Sequence, residues 1–180
     1  MRSSRKAAGL TRRQFVAAGA LGSAAAVIGC NGRRQGSWEF FTEQQAKTLT
    51  AICDQIIPAD DFPSASQAGV LTFIDRQLVR HFRDHRSVYR DGLKRADELS
   101  RQRFGSELAA LSPAGQLEIV EKIEREDRTF FELVRNHTLE GYYGSPRHGG
   151  NRDAISWRML GLAEPPVLGR AQSDSEKSRP

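Results

Sequence analysis

The chain has 180 residues, with 27 Lys and Arg against 22 Asp and Glu, a formal net charge of +5. Five cations (Arg2, Arg5, Lys6, Arg12 and Arg13) and no acid fall in residues 1–30, so the remainder balances at 22 against 22. A nucleic-acid binder keeps a basic face in its mature domain, so that class is set aside, and the roughly 150 residues after the first thirty suit one domain with a real core.

Residues 1–30 have the layout of a secretory signal: a basic flank, a short apolar run from Ala17 to Ile28, and small residues at the exit. The run is shorter than the about 20 residues of a permanent spanning helix. The pair Arg12-Arg13 ahead of Phe15 matches the twin-arginine export signal, which is read by the twin-arginine translocase and carries folded cargo. The expected location is therefore the periplasm, with the membrane close by. Ala24-Ala25-Ala26 offers ordinary cleavage, and Val27-Ile28-Gly29-Cys30 resembles a lipobox, so lipidation of Cys30 stays open beside cleavage or retention of the signal. With Cys30 lipidated or removed, Cys53 is the one remaining cysteine, and no internal disulfide framework forms.

Residues 31–37 read as a linker, and the domain is expected over 38–162. Thr42 with Gln45 forms a capping box, and Leu49, Ile52, Cys53, Ile56 and Ile57 lie on one helical face ending at Pro58. A turn-rich link, residues 59–66, precedes a second helix expected from about Ser66 to His85, with Leu71, Ile74, Leu78 and Phe82 on one face. A third helix is expected over 87–104, with Tyr89, Leu93, Ala96 and Leu99 inward and Gly105 as its stop. Ser112-Pro113 opens a fourth, facing inward with Leu117, Val120 and Ile123. A fifth, over 128–139, buries Phe130, Phe131 and Val134. Residues 140–151 then read as a long glycine-rich loop, a type more often functional than idle. A short helix with Trp157, Met159 and Leu160 closes the fold, and 163–180 is expected to be a disordered tail. Nothing alternates with period two for long, so the fold class is all-α: a compact single-domain bundle of about five to six helices.

The chain is similar to the gluconate 2-dehydrogenase subunit 3 family. The likeness rests on the twin-arginine start, on residues 49–58 with Pro63-Ser64-Ala65 and Ala68-Gly69-Val70 after them, and more weakly on Leu111-Ser112-Pro113. Its most specific part is Thr138-Leu139-Glu140-Gly141-Tyr142-Tyr143-Gly144 with Pro146, Gly149-Gly150-Asn151 and Trp157. The resemblance implies a non-catalytic small subunit with no cofactor of its own. It would accompany a large FAD-dependent dehydrogenase subunit of the glucose–methanol–choline type that oxidises a sugar, sugar acid or polyol. A cytochrome c subunit with haem often takes the electrons, and the small subunit carries the export signal for both.

The candidate surface for that partner is Gly141, Tyr142, Tyr143, Gly144, Pro146, His148, Gly149, Gly150, Asn151 and Trp157. Aromatic residues bury area and keep a polar tip, which suits interface anchors, although the same aromatics also suit a loop packed on itself. Cys53 is a further candidate contact, as a thiol able to bridge to a partner, against the plainer reading of a buried inert thiol. His81 and His85 share a helical face at metal-pair spacing, but Arg80, Arg83, Asp84 and Arg86 make a solvated charged face the favoured reading. His137 is expected in a core or helix-end hydrogen bond. The rival readings are an exported metal-dependent enzyme using His81, His85 and His148, and a lipid-tethered structural protein.

Overall fold

Helix α1 (Glu43–Ile56) is the axis on which the others pack. The computed structural model describes residues 38–162. The export-signal residues Arg12, Arg13 and Phe15, the lipidation candidate Cys30, the linker 31–37 and the tail 163–180 lie outside the described residues. α1 starts as expected: Thr42 Oγ1 accepts from the Gln45 N–H at 3.2 Å, and Gln45 Oε1 accepts from the Thr42 N–H at 3.0 Å. These two bonds satisfy donors that a helix start leaves unpaired. Its buried stripe, Ala46, Leu49, Ile52 and Cys53, meets helices α2 (Val70–Val79), α3 (Arg86–Phe104), α4 (Pro113–Glu126) and α5 (Arg128–Tyr143). A five-residue helix, α6 (Ile155–Met159), follows the last loop. No strand occurs among the described residues.

Helix α2 is shorter at both ends than the expected Ser66–His85. At its start, Asp54 of α1 takes the Ser66 N–H at 2.8 Å and the Ser66 hydroxyl at 2.7 Å, which holds residues 65–69 in turns. Gly69 then adopts φ +84°, a left-handed conformation from which a right-handed helix restarts only afterwards. At its end, Arg80 leaves helical geometry, and two later arginines take over the last carbonyls. Arg83 Nε donates to the Val79 carbonyl at 2.9 Å, and Arg86 Nε to that of Leu78 at 2.6 Å. Capping by a cation suits the negative end of the helix dipole. The apolar repeat Leu71–Ile74–Leu78–Phe82 therefore outlives the helix. Phe82 reaches the core from a turn and stacks on His137 at 3.9 Å.

Helices α3 and α4 begin and end close to their local signals. Gly105 follows Phe104 with φ +74°, and Ser112 Oγ accepts from the Gly115 N–H at 3.3 Å, with Pro113 in the first turn. On α4 the buried side chains are Ile119, Val120 and Ile123, whereas Leu117, expected inward, is 46 % exposed. At 100° per residue Leu117 lies roughly 110° round from the centre of that arc.

Helix α5 runs four residues past the expected stop at Leu139, to Tyr143. Its buried face is Phe130, Val134, His137, Thr138, Gly141 and Tyr142, with Phe131 half-buried. Gly141 costs helix propensity of about 1 kcal/mol against Ala. A side chain there would sit 2.9 Å from the Phe73 ring, so glycine permits the close approach of α2 that the packing needs. Leu160, expected in the closing helix, falls just after α6 and is exposed.

The chain enters the domain against a buried carboxylate. Asp75 of α2 accepts the N–H of Glu39 at 2.7 Å, of Phe40 at 2.9 Å and of Phe41 at 3.1 Å. A second buried carboxylate, Asp97 of α3, accepts from Thr48, Gln44 and the Leu108 N–H and ties α3 to α1. Three or more donors per carboxylate offset the desolvation that would otherwise oppose burial. Among the described residues no helix is long and apolar enough to cross a membrane.

Candidate functional site

The end of α5 and the loop after it form a strapped platform. Asn151 is buried at its centre with φ +43°. Its Nδ2 donates to the Gly144 carbonyl at 2.8 Å, and its Oδ1 accepts from the Ser156 N–H at 3.0 Å. These bonds join the two ends of the loop. Arg152 N–H donates to the Ala68 carbonyl at 2.8 Å and Tyr142 Oη to the Pro63 carbonyl at 2.8 Å, which fasten the loop to the turn before α2. Trp157 Nε1 donates to the Tyr143 carbonyl at 2.8 Å and fixes α6 on the end of α5. Gly150 lies so close to the Gly141 carbonyl that no side chain fits there. Asp153 and Ala154 also have positive φ, 56° and 53°, a conformation that non-glycine residues rarely adopt.

This strapping sorts the expected partner-facing residues into two groups. Tyr143 (41 % exposed) and His148 face solvent, and Gly144, Pro146, Gly149 and Trp157 are half-buried. Gly141, Tyr142, Gly150 and Asn151 are buried, and hold the platform up rather than forming its face. Sequence reasoning missed the aliphatic part of this region: Leu139 is 38 % exposed, and Leu160 and Leu162 are 56 % exposed. Leu139 sits four residues before Tyr143 on one continuous helix, so the two share a face of α5. The signal was the i, i+4 spacing, concealed by the early stop expected for that helix.

Of the two readings of Cys53, a bridging thiol and a buried inert one, the geometry matches the second. Its thiol is completely buried, 3.3 Å from Thr138 Oγ1, and burial pushes it up to about 12. His81 and His85 do not share a helical face, because α2 stops at Val79 and His85 ends the short 3₁₀ turn Arg83–His85. Among the described residues no three His, Cys, Asp or Glu side chains converge as a metal site requires. His137 is the core histidine expected: it stacks on Phe82, shares a 3.0 Å hydrogen bond with Tyr89 Oη, and is held down at about 4 by burial and by His85.

The family model of gluconate 2-dehydrogenase subunit 3 matches residues 43–163. The chain belongs to that family. The six α-helices of the described residues begin and end inside the matched range, from Glu43 of α1 to Met159 of α6. Neither a curated protein nor a solved structure matches the chain. In this subunit 3 chain the stretch from Gly141 to Gly150 opens no strand-to-helix turn of the dinucleotide-binding kind, since Gly141 lies inside α5. The platform presents exposed aliphatic and aromatic groups on a hydrogen-bonded base.

Proposed function

We propose that this chain is the non-catalytic small subunit of a periplasmic flavin-dependent dehydrogenase complex, of the glucose–methanol–choline type. It binds the large catalytic subunit, takes it through the twin-arginine translocase and stabilises it. The large subunit holds the FAD and oxidises a sugar, sugar acid or polyol, and a cytochrome c subunit with haem receives the electrons. The membership of the subunit 3 family over 43–163 carries this reading. The pair Arg12-Arg13 before Phe15 supports the export route, since that route moves folded cargo with a passenger attached. The exposed Leu139, Tyr143, Leu160 and Leu162, with Trp157 bonded to the Tyr143 carbonyl, support the binding role. Apolar side chains rimmed by polar ones are the usual signature of a protein contact.

The test is fractionation of a strain lacking this chain. The catalytic subunit is expected to stay in the cytoplasm or to lose its activity. Wild-type dehydrogenase activity in the periplasm of that strain refutes the export role.

A further inference from the structure

The edge where α2 gives way to α3 is unusually cationic. Residues 80–90 contain Arg80, Arg83, Arg86 and Arg90 with His81 and His85, against the single carboxylate Asp84. Arg80, Arg83 and Arg90 are exposed and Arg86 is half-buried. Arg83 and Arg86 each spend Nε on a carbonyl at the end of α2. None of the four makes an ion pair among the described residues, and nor do the exposed Lys47, Arg135, Arg147, Arg152 and Arg158, whereas Arg95, Arg101, Arg103, Arg125 and Arg128 do. Asp91 beside Arg90 and Glu39 beside Phe40 are the neighbouring acids in the chain, so cations outnumber acids along this edge.

The same edge is where the chain enters. The Arg86 guanidinium lies 5.8 Å from the centre of the Phe40 ring and that of Arg90 lies 5.2 Å from it. Phe40 is itself held by Asp75 through its N–H. Phe40 follows Cys30 by ten positions, and ten extended residues reach about 35 Å at most. A lipid on Cys30, or a retained leader, therefore keeps this edge near the bilayer surface, within the reach of one short segment. Guanidinium groups pair with phosphate oxygens in a two-point geometry that other cations lack.

We infer that Arg80, Arg83, Arg86 and Arg90 form a surface for the anionic headgroups of a phospholipid bilayer. The tether sets the distance, and the arginines set which side of the domain faces the membrane. This inference rests on the export reading above and on anchoring through Cys30 or the leader, but its measurement needs no dehydrogenase.

The test uses the purified full chain in vesicle flotation. Neutral phosphatidylcholine vesicles are compared with vesicles holding about 30 mol % phosphatidylglycerol, at about 0.1 M salt. Any insertion of the leader is common to both. Binding to the anionic vesicles is expected to be tighter, and Arg80→Gln with Arg90→Gln to weaken it roughly fivefold per arginine, about 25-fold together. Arg80→Lys with Arg90→Lys keeps the charge and is expected to keep most of the binding, which separates loss of charge from loss of fold. Arg125→Gln with Arg135→Gln removes the same charge elsewhere and is expected to change little. Equal binding to both vesicle types, or equal loss from the two glutamine pairs, overturns the inference. So does a result in which Arg80→Gln with Arg90→Gln binds vesicles normally but no longer captures the purified catalytic subunit, which makes the edge a protein contact. A chain that binds anionic vesicles as expected but never captures a dehydrogenase leaves this inference standing and removes the accessory-subunit reading instead.

Discussion

Tyr89 Oη and His137 Nδ1 meet at 3.0 Å between α3 and α5, with the imidazole stacked on Phe82 on its other side. Burial, with His85 close by, holds His137 down at about 4 from an ordinary 6.5. The folded domain therefore keeps this histidine neutral where the unfolded chain protonates it. Stability from this site is full above the unfolded value, falls as the pH drops below it, and levels off below the folded value. Between about pH 7 and pH 5 the Tm of the wild type is expected to fall by several degrees more than that of His137→Gln. Parallel slopes in a thermal-melt series would remove His137 from the account.

Asp75 receives three N–H groups from residues 39–41 while buried in α2. Asp75→Asn offers one acceptor oxygen and sets an amide against a donor. Hydrogen bonds to a charged group contribute about 1.5–3 kcal/mol each, so a loss of at least about 2 kcal/mol is expected in urea unfolding. Limited proteolysis should cut faster around Trp38, where the entry segment is released. Unchanged cleavage there would mean that the carboxylate does not hold this segment.

Asn151 ties Gly144 to Ser156 while sitting at positive φ. Asn151→Ala leaves the buried Ser156 N–H and the half-buried Gly144 carbonyl unpaired and adds backbone strain, for a loss of about 2–4 kcal/mol. Asn151→Gly loses the same bonds without the strain and is expected to be less damaging by about 1 kcal/mol. Equal denaturation midpoints for the two variants would show that the left-handed geometry relaxes away.

Cys53 is expected to be silent to thiol reagents in the folded protein. A shift from 9.0 to about 12 leaves about a thousandth of the usual thiolate, and the thiolate is the reactive form. Iodoacetamide labelling should appear only with denaturant, and the assembled complex should show no thiol-sensitive band on electrophoresis. Rapid labelling of native protein would contradict the burial.

Leu139 and Tyr143 stand exposed on one face of α5. Tyr143→Ala keeps the carbonyl that Trp157 Nε1 binds, and Leu139→Ser trims a partly exposed side chain outside the buried core. Each variant should lose about 1 kcal/mol of stability, since Tyr143 packs edge-on against the Tyr142 ring at 5.0 Å and Leu139 is only 38 % exposed. Capture of the catalytic subunit by the double variant should fall by tenfold or more, as for anchor residues worth about 2 kcal/mol. Full capture would place the dehydrogenase on a different face.

Helix starts and stops with local causes were readable from neighbouring residues. The Thr42–Gln45 box, Ser112-Pro113 and Gly105 act within a turn of themselves, and the apolar periods of α1 and α3 name their buried faces. The charge split between residues 1–30 and the rest, the lone buried cysteine and the helical class have the same standing. Remote contacts decided the rest. Asp54 holds Ser66 and delays α2, arginines from the following turn close it, and Phe73 needs the bare Cα of Gly141 and so lets α5 run on to Tyr143. The partner-facing set changed for that reason. Whether Gly150 and Asn151 point outward or brace the platform depends on atoms seven or more residues away, which spacing along a chain does not encode. Residue order dictated which segments coil; the packing of one coil on another dictated which side chains were left for a partner, because exposure belongs to the assembled surface.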